Sequence, residues 1–387
     1  MATSKQDIID FYNQLARVSA QHEEDMTVLR SKLDSLLQDW PTTPPPPTAA
    51  PGLRFAVHKY DNTTPVDFSA ASFYDLQRGY RVGATPRSTD QELYLYVTMV
   101  KRPGDENGYT QFLKPSVILE EWLAHFKAEP WSHVTRSING GDTLINISNA
   151  QWQAKAIANV VSEVLAHNAT GLYLDEVDWS LSFGWPIVKD HPCLEFPSDR
   201  EWRAALLQFV QRLAGELHVH GKKLWINHGA NAWVDPEWHN NILRSVDAVN
   251  SEFFIGREGV GDPPAKMGNG WEEQTSYVAE AEKLGLAAHV RCSSTNQSVV
   301  DYAFLSWLAV TSFRGSFSAS SNYAGPIARP SMELLSKAYA LGRPIAGYAS
   351  SAYGYYRQFE KGVVRVNPFL ATKNGMLSGT GSIVLQS

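Results

Sequence analysis

The sequence GLYLDEVDW, residues 171–179, places three carboxylates directly after a short apolar run. The apolar run has the composition of a buried strand, and the acids that follow it are Asp175, Glu176 and Asp178. Apolar runs seldom end in a group of acids unless those acids have a partner or a function outside the strand. We therefore take these residues as candidates for acid–base or nucleophilic chemistry.

A further acid, Glu252, lies in the run AVNSEF (248–253) and directly precedes Phe253 and Phe254. Glycoside hydrolysis needs two carboxylates facing one pocket: one protonates the leaving oxygen, and the other attacks the anomeric carbon or activates water. We predict Asp175 as the nucleophile or electrostatic stabiliser. Partial desolvation by the phenylalanines would suit Glu252 to proton donation. The sequence leaves the retaining and the inverting course open.

Other polar and aromatic residues follow the same and neighbouring strand candidates, where they could contact a sugar. A lone acid at a strand end is often a helix cap, a buried histidine is often structural, and tryptophans often only pack. Both interpretations stay open for each residue. The predicted substrate-binding residues are Glu176, Asp178, Trp179, Asn227, His228, Trp233 and Arg291.

Other reaction types lack their sequence signals. The two cysteines, Cys193 and Cys292, form no zinc motif, and whether they pair is left open. The sequence HVH at 218–220 lies at a predicted helix end, where histidine is unremarkable. The sequence has no GxSxG, Walker, HExxH or EF-hand pattern. We predict neither a metal nor a cofactor.

Strand candidates alternate with helical stretches from residue 53 to residue 342, which predicts a (β/α)8 TIM barrel. A doubly wound open sheet is the alternative, but its glycine-rich phosphate loop is missing. Reactive side chains of a barrel stand at the carboxyl ends of its strands, and the fourth and sixth strands lie on the same side of the mouth. The candidates are 55–60, 93–99, 143–148, 171–175, 223–228, 248–253, 287–292 and 314–320.

Three further segments flank the predicted barrel. Residues 1–40 carry a heptad pattern with one four-residue interruption, which predicts a coiled-coil helix; packing on its own domain is the alternative. Residues 41–52 contain four consecutive prolines and predict a stiff linker. Residues 343–387 alternate in polarity, with turn signals at 360–362 and 373–375, and predict a small antiparallel β element.

Charge and hydropathy exclude two classes of partner. The net charge is −6, from 34 basic and 40 acidic residues, and no basic cluster indicates nucleic-acid binding. No apolar run approaches the roughly 20 residues of a membrane span. The N-terminus lacks the pattern of a signal peptide, so we expect synthesis in the cytoplasm and, from there, incorporation into a particle.

The segments GLYLDEVDW, KLWINHG, NSEFF and YYRQFEKGVVRVNP together resemble the hypothetical glycosyl-hydrolase-like barrels, in particular the family numbered fifteen in that series. The resemblance covers residues 54–370. It implies a relative of the endo-α-1,4-polygalactosaminidases and, more distantly, of the α-galactosidase superfamily. In such relatives a strand-four aspartate is the nucleophile and the acid/base comes from a later strand, which implies Asp175 and Glu252.

Residues 1–52 lie outside that resemblance and look like the attachment region of a bacteriophage tail protein. We therefore predict a glycoside hydrolase on the virion tail that acts on host surface polysaccharide. It would self-associate and join other tail proteins through the N-terminal helix. The alternatives are a catalytically inactive glycan-binding barrel and a purely structural tail subunit.

Overall fold

The computed structural model describes residues 53–58, 76–79, 92–97, 100–101, 143–177, 180, 195–228, 235–256, 269–320, 328–351, 354–369 and 379–386. The predicted coiled-coil helix (1–40), the proline-rich linker (41–52) and the turn at 373–375 lie outside the described residues.

Among the described residues, ten strands precede the C-terminal region, and eight of them form one parallel sheet. Neighbours in the sheet follow the order β1-β2-β3-β6-β7-β8-β9-β10, while β4 and β5 form a separate antiparallel pair. The ten are β1 (Ala56–His58), β2 (Leu76–Gly79), β3 (Glu92–Val97), β4 (Val100–Lys101), β5 (Thr143–Leu144), β6 (Gly171–Leu174), β7 (Lys223–Asn227), β8 (Ala248–Ser251), β9 (Ala287–Cys292) and β10 (Phe317–Ala319).

The two ends of the parallel sheet meet. Phe55, beside β1, forms a parallel bridge with Phe317 of β10, and the Phe317 amide donates to the Arg54 carbonyl oxygen at 3.0 Å. A doubly wound sheet reverses its strand order at a switch point, whereas this order is sequential throughout. The curled sheet is therefore compatible with the predicted barrel.

One predicted barrel strand is wrong and one was missed. Only 143–144 of the candidate 143–148 is extended, and it pairs with β4 outside the parallel sheet. The candidate 143–148 was expected to be the third strand of the barrel. That position is taken by β3, because β2 pairs with both β1 and β3. The β2 sequence LQRG contains no β-branched or aromatic residue, so its composition gave no strand signal. The two errors cancel, and 171–174 and 248–251 remain the fourth and sixth strands of the sheet.

Helices follow β6 to β10 in turn, and side-chain caps begin most of them. The side chains of Asn149, Ser198, Asp235 and Asn296 accept hydrogen bonds from backbone amides of the first turn. The described helices are α1 (Ala150–Ala166), α2 (Asp199–Val219), α3 (Pro236–Leu243), α4 (Asn269–Lys283), α5 (Gln297–Val310) and α6 (Met332–Ala340).

Strand side chains alternate between the barrel interior and the helical layer, because successive residues of a strand point to opposite faces. Tyr94, Tyr96, Tyr173, Trp225 and Ala248 form an inner cluster of their own. Their neighbours along the strands are aliphatic and join the main core with the helices. Burial on both faces explains why these strands read as continuous apolar runs.

Strand β6, which leads to Asp175, is held tightly between its neighbours. A Cβ on Gly171 would lie 2.1 Å from the Lys223 carbonyl oxygen of β7, so only glycine allows this approach. At the other end, the Asp175 amide donates to the Val97 carbonyl oxygen of β3 at 2.9 Å. The backbone that carries Asp175 is therefore fixed on both sides.

The predicted C-terminal antiparallel element is confirmed. It is a four-stranded sheet that packs against α5 and α6, and the turn at 360–361 joins its middle strands as the sequence indicated. Its strands are β11 (Ala349–Ser351), β12 (Gly354–Phe359), β13 (Gly362–Asn367) and β14 (Thr380–Leu385). None of the helices in the described ranges is long and apolar enough to cross a membrane.

Candidate active site

Strand alternation carries four polar side chains to the inner side of the sheet at the carboxyl ends of the strands. Each lies an even number of residues after an inward-facing residue of the same strand. The pairs are Tyr173 and Asp175, Trp225 and Asn227, Ala248 and Glu252, and His289 and Arg291.

Asp175 is 7% exposed and accepts three hydrogen bonds. The Tyr96 hydroxyl donates to Oδ2 at 2.6 Å. Oδ1 accepts from Asn227 Nδ2 at 2.8 Å and from the backbone amide of Glu176 at 2.9 Å. An ionised carboxylate only accepts hydrogen bonds, so three converging donors are complementary to its charged form.

Glu252 faces the same asparagine from the sixth strand. Asn227 Nδ2 donates to Glu252 Oε2 at 3.0 Å, and Arg291 Nη1 lies 3.9 Å from Oε1. The side chain of Glu252 is 17% exposed and that of Arg291 only 2%. The Arg291 Nε also donates to Ser320 Oγ at 3.2 Å, which holds the guanidinium in place.

The shared amide limits the separation of the two carboxylates. Asp175 Oδ1 and Glu252 Oε2 cannot lie further apart than the sum of their distances to Asn227 Nδ2, about 6 Å. At an effective dielectric constant of about 20, two like charges at that distance repel by about 3 kcal/mol. The Arg291–Glu252 attraction at 3.9 Å is about 4 kcal/mol on the same scale. The Arg291 guanidinium therefore offsets a large part of the repulsion that two charged carboxylates would have here.

Polar groups as well as apolar ones surround the partly buried Glu252. Phe254 is fully buried, and the Glu252 carboxylate accepts a hydrogen bond from Asn227 and lies beside Arg291. A neighbouring guanidinium favours the ionised carboxylate, the opposite of apolar desolvation. The proton-donor role itself stays a prediction.

The segments after β6 and β8 both contain a residue in the left-handed region. Glu176 has φ 61° and Ile255 has φ 62°. A β-branched residue is strained there, and such residues cluster at functional sites. For Glu176 this conformation accompanies the hydrogen bond from its amide to Asp175. Backbone strain and carboxylate position thus occur together in this segment.

His228 lies behind the site rather than in it. The ring is fully buried, with Nδ1 2.9 Å from the Val177 carbonyl oxygen and Nε2 2.9 Å from His239 Nδ1. A carbonyl only accepts, so His228 donates through Nδ1 and accepts from His239 through Nε2. Burial lowers the pKa of His228 to about 4; burial and the neighbouring His228 lower that of His239 to about 3. A sugar could reach neither nitrogen of His228 in this arrangement.

The structure brings together Asp175, Asn227, Glu252 and Arg291, and it places the half-buried Glu176 beside them. Asp178, Trp179 and Trp233 lie outside the described residues, as does Cys193 of the undecided cysteine pair. Within the described residues, no three His, Cys, Asp or Glu side chains are grouped as metal ligands would be.

Tyr96 is the site residue that sequence reasoning missed. The predicted site residues all follow the strand candidates or lie at their ends, whereas Tyr96 lies inside β3. Its signal was available in the alternation of LYLYV, which puts both tyrosines on one face.

No protein-family model matches the chain, and no curated protein matches it. Several solved glycoside hydrolases are similar to it in fold. Ega3 of Aspergillus fumigatus, complexed with galactosamine, shares 12% identity over 74% of this chain and 97% of that protein, with a TM-score of 0.44.

A GH31 dextranase of Flavobacterium johnsoniae, complexed with isomaltotriose, shares 10% identity over 76% of this chain and 39% of that one, with a TM-score of 0.49. A chitinase of Chromobacterium violaceum shares 14% identity over 62% of this chain and 68% of that one, with a TM-score of 0.35.

Proposed function

We propose that the protein is a retaining glycoside hydrolase in which Asp175 is the nucleophile and Glu252 the acid/base. The observation that carries this proposal is the pair of carboxylates bound by one asparagine amide at the ends of two barrel strands. Retaining enzymes hold their carboxyl groups about 5–5.5 Å apart and inverting enzymes about 6.5–9.5 Å apart. The upper limit of about 6 Å between Asp175 Oδ1 and Glu252 Oε2 lies below the inverting range and is the basis on which we propose retention.

The reaction follows from these roles. An Asp175 oxygen forms a bond to the anomeric carbon while the glycosidic C–O bond breaks, and the Glu252 proton goes to the leaving oxygen. Water then attacks the same carbon, gives its proton to Glu252, and the bond to Asp175 breaks. The sugar leaves with the configuration it had in the substrate, because two inversions have occurred.

The surroundings of the two acids support this division of roles. Three donors hold Asp175 in one orientation and complement its charge, as a nucleophile requires. While Asp175 is charged, it favours a proton on Glu252; once Asp175 is glycosylated and neutral, Arg291 favours the ionised base. The same residue is thereby suited to both of its steps.

The place of action is also a proposal and comes from the sequence. We infer that residues 1–40 form a self-associating coiled coil that attaches the barrel, through the linker 41–52, to a bacteriophage tail. The substrate would then be a polysaccharide of the host surface. The resemblance to the glycosyl-hydrolase-like family fifteen and the proline-rich spacer support this assignment.

Release of reducing ends from bacterial surface polysaccharides tests the catalytic proposal. Asp175→Asn and Glu252→Gln should each lose at least about 100-fold activity, because each removes a reacting group. Glu237→Gln, an exposed residue on α3, is the matched control and should keep full activity. Equal activity of all four proteins would overturn the assignment. Glycan binding without release by the unmodified protein would favour the inactive binding barrel instead.

A further inference from the structure

Asn227 contacts both candidate carboxylates with one nitrogen. Its Nδ2 lies 2.8 Å from Asp175 Oδ1 and 3.0 Å from Glu252 Oε2. An amide nitrogen carries two hydrogens, so each carboxylate can receive one of them. The asparagine therefore stands as a donor between two acceptors of the same charge.

A second asparagine fixes the orientation of this amide. Asn250 is fully buried on β8, in register with Asn227 on β7, and its Nδ2 donates to Asn227 Oδ1 at 3.3 Å. The same Nδ2 lies 3.3 Å from the Tyr173 hydroxyl. A flipped Asn227 would turn its oxygen toward two carboxylates and its NH2 toward another NH2. The neighbours thus select the orientation that donates to both acids.

We propose that Asn227 is a positioning residue that keeps Asp175 and Glu252 as two separate carboxylates rather than a pair that shares one proton. Carboxyl groups that approach directly to about 3 Å share a proton, as in the aspartic proteases. Here each acid has an amide hydrogen on the oxygen that faces the other. The amide occupies the position that a shared proton would take.

The consequence for catalysis rests on the proposed function. A retaining mechanism gives the two acids different tasks, so one must stay charged while the other carries a proton. If the two carboxyl groups shared one proton, neither a fully charged nucleophile nor a fully protonated acid would be present. The hydrogen-bond bridge itself stands on the geometry alone, and it can be tested without any substrate.

The test is a double-mutant cycle of unfolding by urea at pH 7. Asn227→Ala is made in the unmodified protein and in the Asp175→Asn/Glu252→Gln background, in which neither acid is charged. Loss of a hydrogen bond to a charged group should lower the folding equilibrium constant at least about tenfold in the first case. In the uncharged background the loss should be at least about threefold smaller than in the unmodified protein, because neutral hydrogen bonds are weaker.

Asn240→Ala, an exposed asparagine on α3, is the control and should lower stability equally in both backgrounds. Equal losses for Asn227→Ala in the two backgrounds would overturn the proposal, because they indicate packing alone. If Asn227→Ala does not fold in either background, the isosteric Asn227→Asp takes its place. It should be destabilised in the charged protein and close to neutral in the uncharged one.

An activity readout separates this proposal from the proposed function. If a polysaccharide is cleaved, Asn227→Ala should lower kcat about tenfold or more and shift the pH profile, with KM little changed. If no polysaccharide is cleaved, the proposed function fails while the outcome of the unfolding cycle still decides the role of Asn227. A reduced kcat with an unmoved pH profile would contradict the positioning role.

Discussion

Two buried carboxylates lie at opposite ends of the strands, and their surroundings differ in kind. Asp175 follows β6 at the carboxyl ends, whereas Glu282 lies in the last turn of α4, the helix that precedes β9. Glu282 is 5% exposed and accepts hydrogen bonds on both oxygens. Its donors come from one loop: the Thr311 hydroxyl at 2.9 Å, the Ser312 hydroxyl and amide, and the Gly315 amide at 3.3 Å.

The difference shows that burial and hydrogen bonds do not by themselves mark a reactive acid. The hydrogen bonds of Glu282 stabilise a single loop, and among the described residues none of their donors also binds another carboxylate. The donors of Asp175 come from two other strands as well as its own segment, and one of them also binds Glu252. The second carboxylate, rather than the burial, distinguishes a candidate site from a structural acid.

Acid should act in opposite directions on the buried histidines and on Glu282, and this is the largest effect we expect. Burial lowers the pKa of His228 to about 4 and those of His239 and His289 to about 3, while the unfolded chain binds protons near pH 6.5. The unfolded state therefore gains protons first, and stability falls as the pH drops below about 6.5. Each of the three histidines should cost about 2 kcal/mol of stability at pH 5, or about 6 kcal/mol in total.

Burial raises the pKa of Glu282, so its protonation favours the folded state and offsets part of that loss as the pH falls. Tryptophan fluorescence in urea at pH 7 and pH 5 measures the balance. In His239→Asn the amide keeps a donor toward His228 and removes one titrating ring, so the acid loss should shrink by about 2 kcal/mol. His220→Asn, which replaces an exposed histidine, should leave the loss of stability between pH 7 and pH 5 unchanged. A stability that does not depend on pH would contradict the account.

Replacing each acid by its neutral amide should also have different effects on stability at Asp175 and at Glu282. In Asp175→Asn the new NH2 can face Tyr96, whose hydroxyl can turn and accept. In Glu282→Gln the new NH2 must face the backbone amide of either Ser312 or Gly315, and neither can turn. We expect Glu282→Gln to lose about 2–3 kcal/mol of unfolding free energy, and Asp175→Asn less than about 1 kcal/mol. Urea titrations check this, and equal losses would remove the distinction.

Tyr96→Phe should give the smallest change in stability and activity among these variants. The ring stays stacked on Tyr173, at 5.8 Å between centroids, but the donor to Asp175 is lost. We expect about a tenfold fall in kcat and about 1 kcal/mol in stability. Tyr94→Phe, on the same face of β3, removes a hydroxyl that bonds Glu92 and should leave kcat intact. Similar kinetics for both variants would show that Tyr96 only packs.

The sequence predicted those features of the fold and the site that depend on the residue pattern of a single strand. Apolar runs ending in Asp175, Asn227 and Glu252 predicted both the strands and the end at which their polar groups lie. It failed for β2, whose composition is unlike a strand and whose place depends on β1 and β3. Register between strands is a property of the folded sheet and is not encoded in any single run.

The same limit applies to the surroundings of the site residues. His228 follows Asn227 directly, but the alternation that turns Asn227 inward turns the next side chain to the opposite face. The sequence also suggested that two phenylalanines set the environment of Glu252. Strand pairing instead brings Arg291 from the next strand to that carboxylate. Contacts across the sheet, rather than neighbours along the chain, determine the chemistry here.

The anomeric configuration of the first-formed product tests the central claim most directly. Proton NMR of a polysaccharide digest, recorded before mutarotation, reports whether the new reducing end keeps the configuration of the bond that was cut. Two carboxylates held within about 6 Å by Asn227 predict retention by the unmodified protein and no product from Asp175→Asn. Inversion, or product of either configuration from Asp175→Asn at the unmodified rate, would contradict the account.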